Sequence, residues 1–73
     1  MGTNKTDVRE WLSNYGNELR QKRKKANLTQ LEVAWTIGCS QAIISHIECG
    51  YMLPPVKIET LLLTLYEEIG GGE

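Results

Sequence analysis

Apolar positions recur along this chain at spacings of three and four, broken by short polar stretches, a pattern that predicts several short helices and no strands. Val8, Trp11, Leu12, Tyr15 and Leu19 form a first stripe that Ala26 continues, with Thr6 or Asp7 as the residue capping its start. Gly16 interrupts this stretch at a cost of about 1 kcal/mol relative to alanine, so a kink or break is expected near Asn14-Tyr15-Gly16. In a second helix, started by Thr29, the residues Val33, Ala34 and Ile37 fall on one arc, and small Ala34 allows a crossing partner to come close. Ile37-Gly38-Cys39 reads as a sharp reversal, and a third helix, started by Ser40, turns Ile43, Ile44 and Ile47 inward. Gly50 ends that helix and Pro54-Pro55 forbids its resumption. The last helix is expected over residues 55–69, with the stripe Ile58, Leu61, Leu62, Leu65 and Ile69, and Gly70-Gly71-Gly72 stops it. The expected fold is all-α: a compact bundle of four to five short helices over residues 7–69, between a flexible N-terminus (1–6) and a flexible C-terminal tail (70–73).

The third helix leaves Gln41, Ala42, Ser45, His46 and Cys49 on its outer arc. A merely solvated face favours Lys and Glu, whereas this one carries short and amide side chains. It suits the major groove of DNA, where glutamine can bond bidentately to adenine and a methyl group can touch thymine. Two short helices joined by a turn at residues 37–40, the second spanning 40–49, form the unit by which small domains place a recognition helix in that groove. An ordinary helical hairpin with a polar outside has the same arc, and its composition alone does not separate the two.

Residues 16–66 resemble the helix-turn-helix domain of the lambda-repressor-like (Cro/Xre) family of prokaryotic and phage regulators. The resemblance is carried by Gly16, Leu19, Arg23, Leu28-Thr29-Gln30, Ala34, Gly38, Ser40-Gln41, Ile44-Ser45, Ile47-Glu48, Gly50 and Pro54. It implies that Gln41 is the leading base reader, that Ala42 offers a methyl contact, and that Ser45 and His46 reach neighbouring base pairs or flanking phosphates. Gln30 would bond a phosphate and brace Gln41, while Thr29 and Ser40 would offer hydroxyls and helix-end N–H groups to the backbone. Arg23 and Glu48 resemble a structural pair tying the first helix to the third, with Arg23 also turned toward phosphate. The implied function is sequence-specific binding of double-stranded DNA by a transcriptional regulator, read as a repressor. It would act as a homodimer on a palindromic operator, because one module makes few base contacts.

Charge complicates this picture. The 73 residues carry a formal net charge of −1, unlike many DNA binders. The charge is polarised, however: five of the eight basic residues lie in Arg20-Gln21-Lys22-Arg23-Lys24-Lys25, and residues 58–73 hold four acids and no base. Arg20, Lys22 and Arg23 are therefore expected to face phosphates, with Lys24 and Lys25 read as a solvated helix end favoured by the helix dipole. Tyr51-Met52-Leu53 is apolar where relatives often carry Lys or Asn, which argues against a phosphate clamp in that loop.

Other classes fit less well. No apolar run approaches membrane-spanning length and no secretory signal is visible, so a cytoplasmic, nucleoid-associated protein is expected. Cys39 and Cys49 are roughly 15 Å apart along one predicted helix, too far for a disulfide between them. His46 and Cys49, even with Cys39, do not complete a zinc site, so neither metal nor cofactor is expected. A single histidine and little room for a pocket argue against an enzyme. Leu31, Trp35, Leu63 and Tyr66 are apolar extras off the main stripes. Trp11 and Tyr15 are expected to pack over Leu31 and Trp35, or else Trp35 joins Leu62, Leu65, Tyr66 and Ile69 in a dimer or partner surface. These extras and the acidic balance support one rival reading, a protein-interaction module that keeps the fold, modulates another regulator and does not read DNA.

Overall fold

The structure is a computed structural model that describes residues 5–70, with side chains from residue 8 onward. Among them are four helices: α1 Lys5–Lys25, α2 Gln30–Ile37, α3 Gln41–Glu48 and α4 Val56–Gly70. Helices α2 and α3 pack together, α1 crosses α3, and α4 closes the bundle against α1 and α2. One core joins all four elements, through Leu19 and Ala26 of α1 and its end, Val33 and Ala34 of α2, Ile44 and Ile47 of α3, and Leu62 and Tyr66 of α4.

The expected break in α1 does not occur. The helix runs unbroken through Gly16, whose role is contact rather than bending. A Cβ placed there would stand 2.4 Å from the carbonyl oxygen of Ile47 and 2.7 Å from that of Glu48, so the absent side chain lets α1 cross the end of α3 backbone to backbone. Lys5, Thr6 and Asp7 are already helical, which puts both proposed capping residues inside the first turn. Of the segment expected to be flexible, residues 1–4 lie outside the described residues.

Each inter-helix junction is closed by local chemistry. Helix α1 ends on Asn27, at φ 64°, with its N–H donating to the Lys24 carbonyl at 2.9 Å and the Leu28 N–H to the Arg23 carbonyl at 3.2 Å. This is a Schellman stop with asparagine in the left-handed position that glycine usually takes. Thr29 then opens α2 with a capping box: its hydroxyl accepts from the Glu32 N–H at 3.0 Å, and its own N–H donates to the Glu32 carboxylate at 2.8 Å. Gly38, at φ 92°, turns the chain into α3, as the sequence pattern predicts. Helix α3 stops in the same way as α1, with the Tyr51 N–H on the His46 carbonyl at 2.9 Å.

Helix α4 differs from expectation in its buried face. Leu62 and Tyr66 point into the core, Ile58 and Leu65 are half-buried, and Leu61 and Ile69 are exposed. The inward arc is thus rotated toward Tyr66, because α4 packs against α1 as well as α2. Gly70 is the last helical residue, not the first of a tail; a Cβ there would stand 2.7 Å from Ala26 Cα. Residues 71–73 lie outside the described residues.

The N-terminal half of α1 also packs elsewhere than expected. Trp11 stacks on Tyr15 at 5.4 Å, and the Tyr15 hydroxyl donates to the Glu59 carboxylate on α4. That acceptor draws the aromatic pair to α4, so Leu31 and Trp35 on α2 stay uncovered, Trp35 at 86% exposure. Among the described residues, no helix is long and apolar enough to cross a membrane.

Candidate nucleic-acid interface

Helix α3 is held so that one face is open. Ser40, extended at φ −86° and ψ 153°, accepts the Ile43 N–H on its hydroxyl at 3.3 Å and fixes where the helix begins. Ile44, Ile47 and Glu48 are buried and Ile43 is half-buried on the inner side. Gln41, Ala42, His46 and Cys49 are exposed, and Ser45 lies half-buried at the edge of that face. The His46 ring leans on Tyr51 at 5.7 Å, so the face continues into the loop after the helix.

Behind this face runs a chain of polar contacts from α1 to the first residue of α3. Arg23 donates from Nε to Glu48 Oε2 at 2.7 Å, from Nη2 to Glu48 Oε1 at 3.1 Å, and from Nη1 to the Leu28 carbonyl at 2.7 Å. The hydrogen bond to Glu48 raises the Arg23 pKa, more than burial lowers it. Arg23 is only 8% exposed and commits all three nitrogens inward, which corrects the expectation that it faces phosphate.

The pair also sets the polarity of its neighbours. Gln30 Nε2 donates to Glu48 Oε1 at 2.9 Å. A carboxylate can only accept, so the Gln30 amide must turn its NH2 inward and its carbonyl outward. Gln41 Nε2 meets that carbonyl at 3.5 Å, the long end of hydrogen bonding. Among the described residues Gln41 has no partner for its own carbonyl or its second N–H, the acceptor and donor that adenine requires. Gln30 and Gln41, which the resemblance names as brace and base reader, thus meet, although Gln30 spends much of its amide on Glu48. Thr29 likewise has its backbone N–H bound within the capping box, leaving its hydroxyl proton to donate.

The basic run does not form one edge. Arg20 lines a polar groove between α1 and the end of α3, beside Asn14, Asn17 and Tyr51. Lys22 lies on the opposite flank of α1, in a cleft against α4 with Lys25, Leu63 and Glu67. Helical phase is the cause: two residues advance the side chain about 200° around the axis. Asn14, Asn17 and Arg20, spaced by three, were legible as one flank from their spacing, whereas Tyr51 carried no positional signal beyond its departure from relatives.

The expected dimer surface is also divided. Leu62 and Tyr66 are core residues at 2% and 3% exposure and cannot meet a partner, while Leu65 is half-buried. Burial, with the Glu48 charge adding, pushes the Tyr66 phenol up to about 12. Trp35 and Ile69 remain exposed.

Two short helices with interlocking inner arcs, a capped turn and an open amide-bearing face on the second define a helix-turn-helix domain. A family model described as helix-turn-helix matches residues 19–62, from the core leucine of α1 to the core leucine of α4. The chain belongs to the lambda-repressor-like (Cro/Xre) helix-turn-helix family, a family of DNA-binding regulatory domains and not of enzymes. No individual curated protein matches it.

Proposed function

We propose that this domain is a sequence-specific transcriptional regulator of prokaryotic or phage type that lays α3 in the major groove and represses by occupying its operator. Gln41 and Ala42 read bases, with Ser45 and His46 reaching neighbouring pairs or phosphates, and Thr29, Gln30 and Ser40 contact the backbone. The observation that carries this reading is the contact chain Arg23–Glu48–Gln30–Gln41, which presents an oriented amide at the start of an open helix face. A merely solvated hairpin has no need of an oriented outward amide.

A homodimer on a palindrome fits the energetics. Each bidentate pair discriminates by about 1–3 kcal/mol, and two copies on half-sites roughly 34 Å apart would double the contacts read. Of the residues expected to form such an interface, Trp35 and Ile69 are exposed. Selection of bound duplexes from a random pool, with sedimentation of the same sample, tests the proposal. A recovered palindrome and a dimeric mass support it; absence of enrichment from folded protein overturns it. That negative result would favour a protein-interaction module, the reading that the uncovered Leu31 and Trp35 support.

A further inference from the structure

We propose that His46 and Cys49, three residues apart on the outer face of α3, form a two-ligand site for a soft monovalent cation, Cu(I). Its occupation releases the domain from DNA, a consequence that rests on the DNA-binding reading above. Of the side chains on that face, Cys49 is the one to which base and backbone contacts give no role. Free cysteines are usually buried, and Cys39 is half-buried, yet Cys49 is exposed at the end of the helix. An exposed thiol beside an exposed imidazole joins a soft donor to the commonest metal ligand.

The backbone brings the two donors together. Residues three apart on a helix have Cβ atoms about 5–6 Å apart. Cys49 still holds helical angles, φ −82° and ψ −5°, so its side chain tilts back toward the preceding turn, where His46 sits. The His46 ring leans the other way, toward the chain after the helix, because it rests on Tyr51 at 5.7 Å. Tyr51 and Cys49 line the same groove, so thiol and imidazole converge beside the phenol ring. The donor count selects the ion. Among the described residues, no group of three or more His, Cys, Asp or Glu could hold a metal, which leaves zinc short of its four ligands. Cu(I) is satisfied by two donors in line and prefers thiolate and imidazole to oxygen. With bonds like those of zinc, about 2.3 Å to sulfur and about 2.0 Å to nitrogen, a linear ion spans about 4.3 Å, within reach of this pair. On binding, the Cys49 S–H bond breaks, a sulfur–copper bond forms and the proton leaves to water, with no electron transferred. Thiolate and Cu(I) cancel in charge, so the bound ion adds no attraction to phosphate. The imidazole, meanwhile, is withdrawn from the base pairs or phosphates it reaches.

The test titrates the full chain, reduced and under nitrogen, with Cu(I) held in its coloured bicinchoninate complex, and follows the loss of that colour. Wild type is expected to take one Cu(I) per chain, as is Cys39→Ser, which removes the other thiol. Cys49→Ser is expected to take none. His46→Phe keeps an aromatic ring against Tyr51 and is expected to bind at least about tenfold more weakly, since even an outer partner of a metal is worth that much. No uptake by wild type, or equal uptake by wild type and either His46→Phe or Cys49→Ser, would overturn the site. One Cu(I) per two chains with a doubled sedimented mass would also overturn it, because the ligands would then be thiols of two copies. The selected duplex complex is then titrated in the same way. One equivalent of Cu(I) is expected to weaken wild-type affinity about tenfold, as loss of one hydrogen bond to a charged group does, and to leave Cys49→Ser unmoved. A loaded site with unchanged duplex affinity would overturn the release from DNA. Wild type that takes one Cu(I) but prefers no duplex would overturn the DNA-binding reading instead and leave the site standing.

Discussion

Two single residues carry more of this fold than their side chains suggest. Helix propensity favours Gly16→Ala by about 1 kcal/mol. The added Cβ would meet a backbone oxygen at 2.4 Å, however, and backbone cannot rotate away. Overpacking of this kind costs about 1–3 kcal/mol or more, so the clash outweighs the propensity and the variant is expected to be less stable in urea. An unchanged or raised midpoint would show that α1 and α3 are not in contact there. Glu48→Ala is expected to be worse, because it leaves the Arg23 guanidinium buried without its counter-charge, at a cost of about 3–5 kcal/mol. The same variant releases Gln30, so any folded fraction should bind its selected duplex with reduced base discrimination. Retained stability and retained discrimination together would contradict the contact chain.

The elements were largely legible in the sequence, because helical stripes and cap residues are local signals. Thr29, Ser40, Gly38 and Gly50 each mark a boundary that the structure shows. What was not legible depended on the direction of packing. Gly16 reads as a helix weakener in isolation and becomes a contact point only when α3 crosses it. Tyr66 sits off the aliphatic stripe of α4, and only the position of α1 turns it inward. Arg20 and Lys22 are alike in composition, yet helical phase sends them to opposite flanks. Asn27 carries only a weak stop signal in the sequence, because asparagine marks the left-handed conformation less strongly than glycine. At the level of elements, Tyr15→Phe tests the docking of the N-terminal half of α1. It removes the donor to Glu59, and protection of α1 amides from hydrogen exchange is expected to fall before Gly16 and persist after it. Uniform protection along α1 would contradict that docking.

For the whole molecule, charge and ionisation set the conditions under which the account holds. A net charge of −1 gives no general attraction to DNA, so on the proposed reading affinity comes from the local arrangement of donors on α2 and α3. The phenols of Tyr15 and Tyr66 are both held up to about 12, Tyr15 chiefly by its bond to Glu59 and Tyr66 chiefly by burial. Above pH 10 the unfolded chain loses these protons while the folded chain keeps them. Their contribution to stability is therefore complete below pH 10 and is lost as pH rises toward 12. Denaturation followed by circular dichroism across that window should show a fall that Tyr66→Phe makes shallower; an equal slope would mean that the buried phenol does not titrate with unfolding. The central claim, that Gln41 reads a base from an oriented position on α3, is tested most directly by comparing Gln41→Ala with wild type. The comparison uses a panel of duplexes that vary each operator position in turn. The account predicts that discrimination is lost at one base pair of each half-site, with the other positions and the scrambled duplex little changed. A loss of affinity spread evenly over all positions, or none at all, would contradict it.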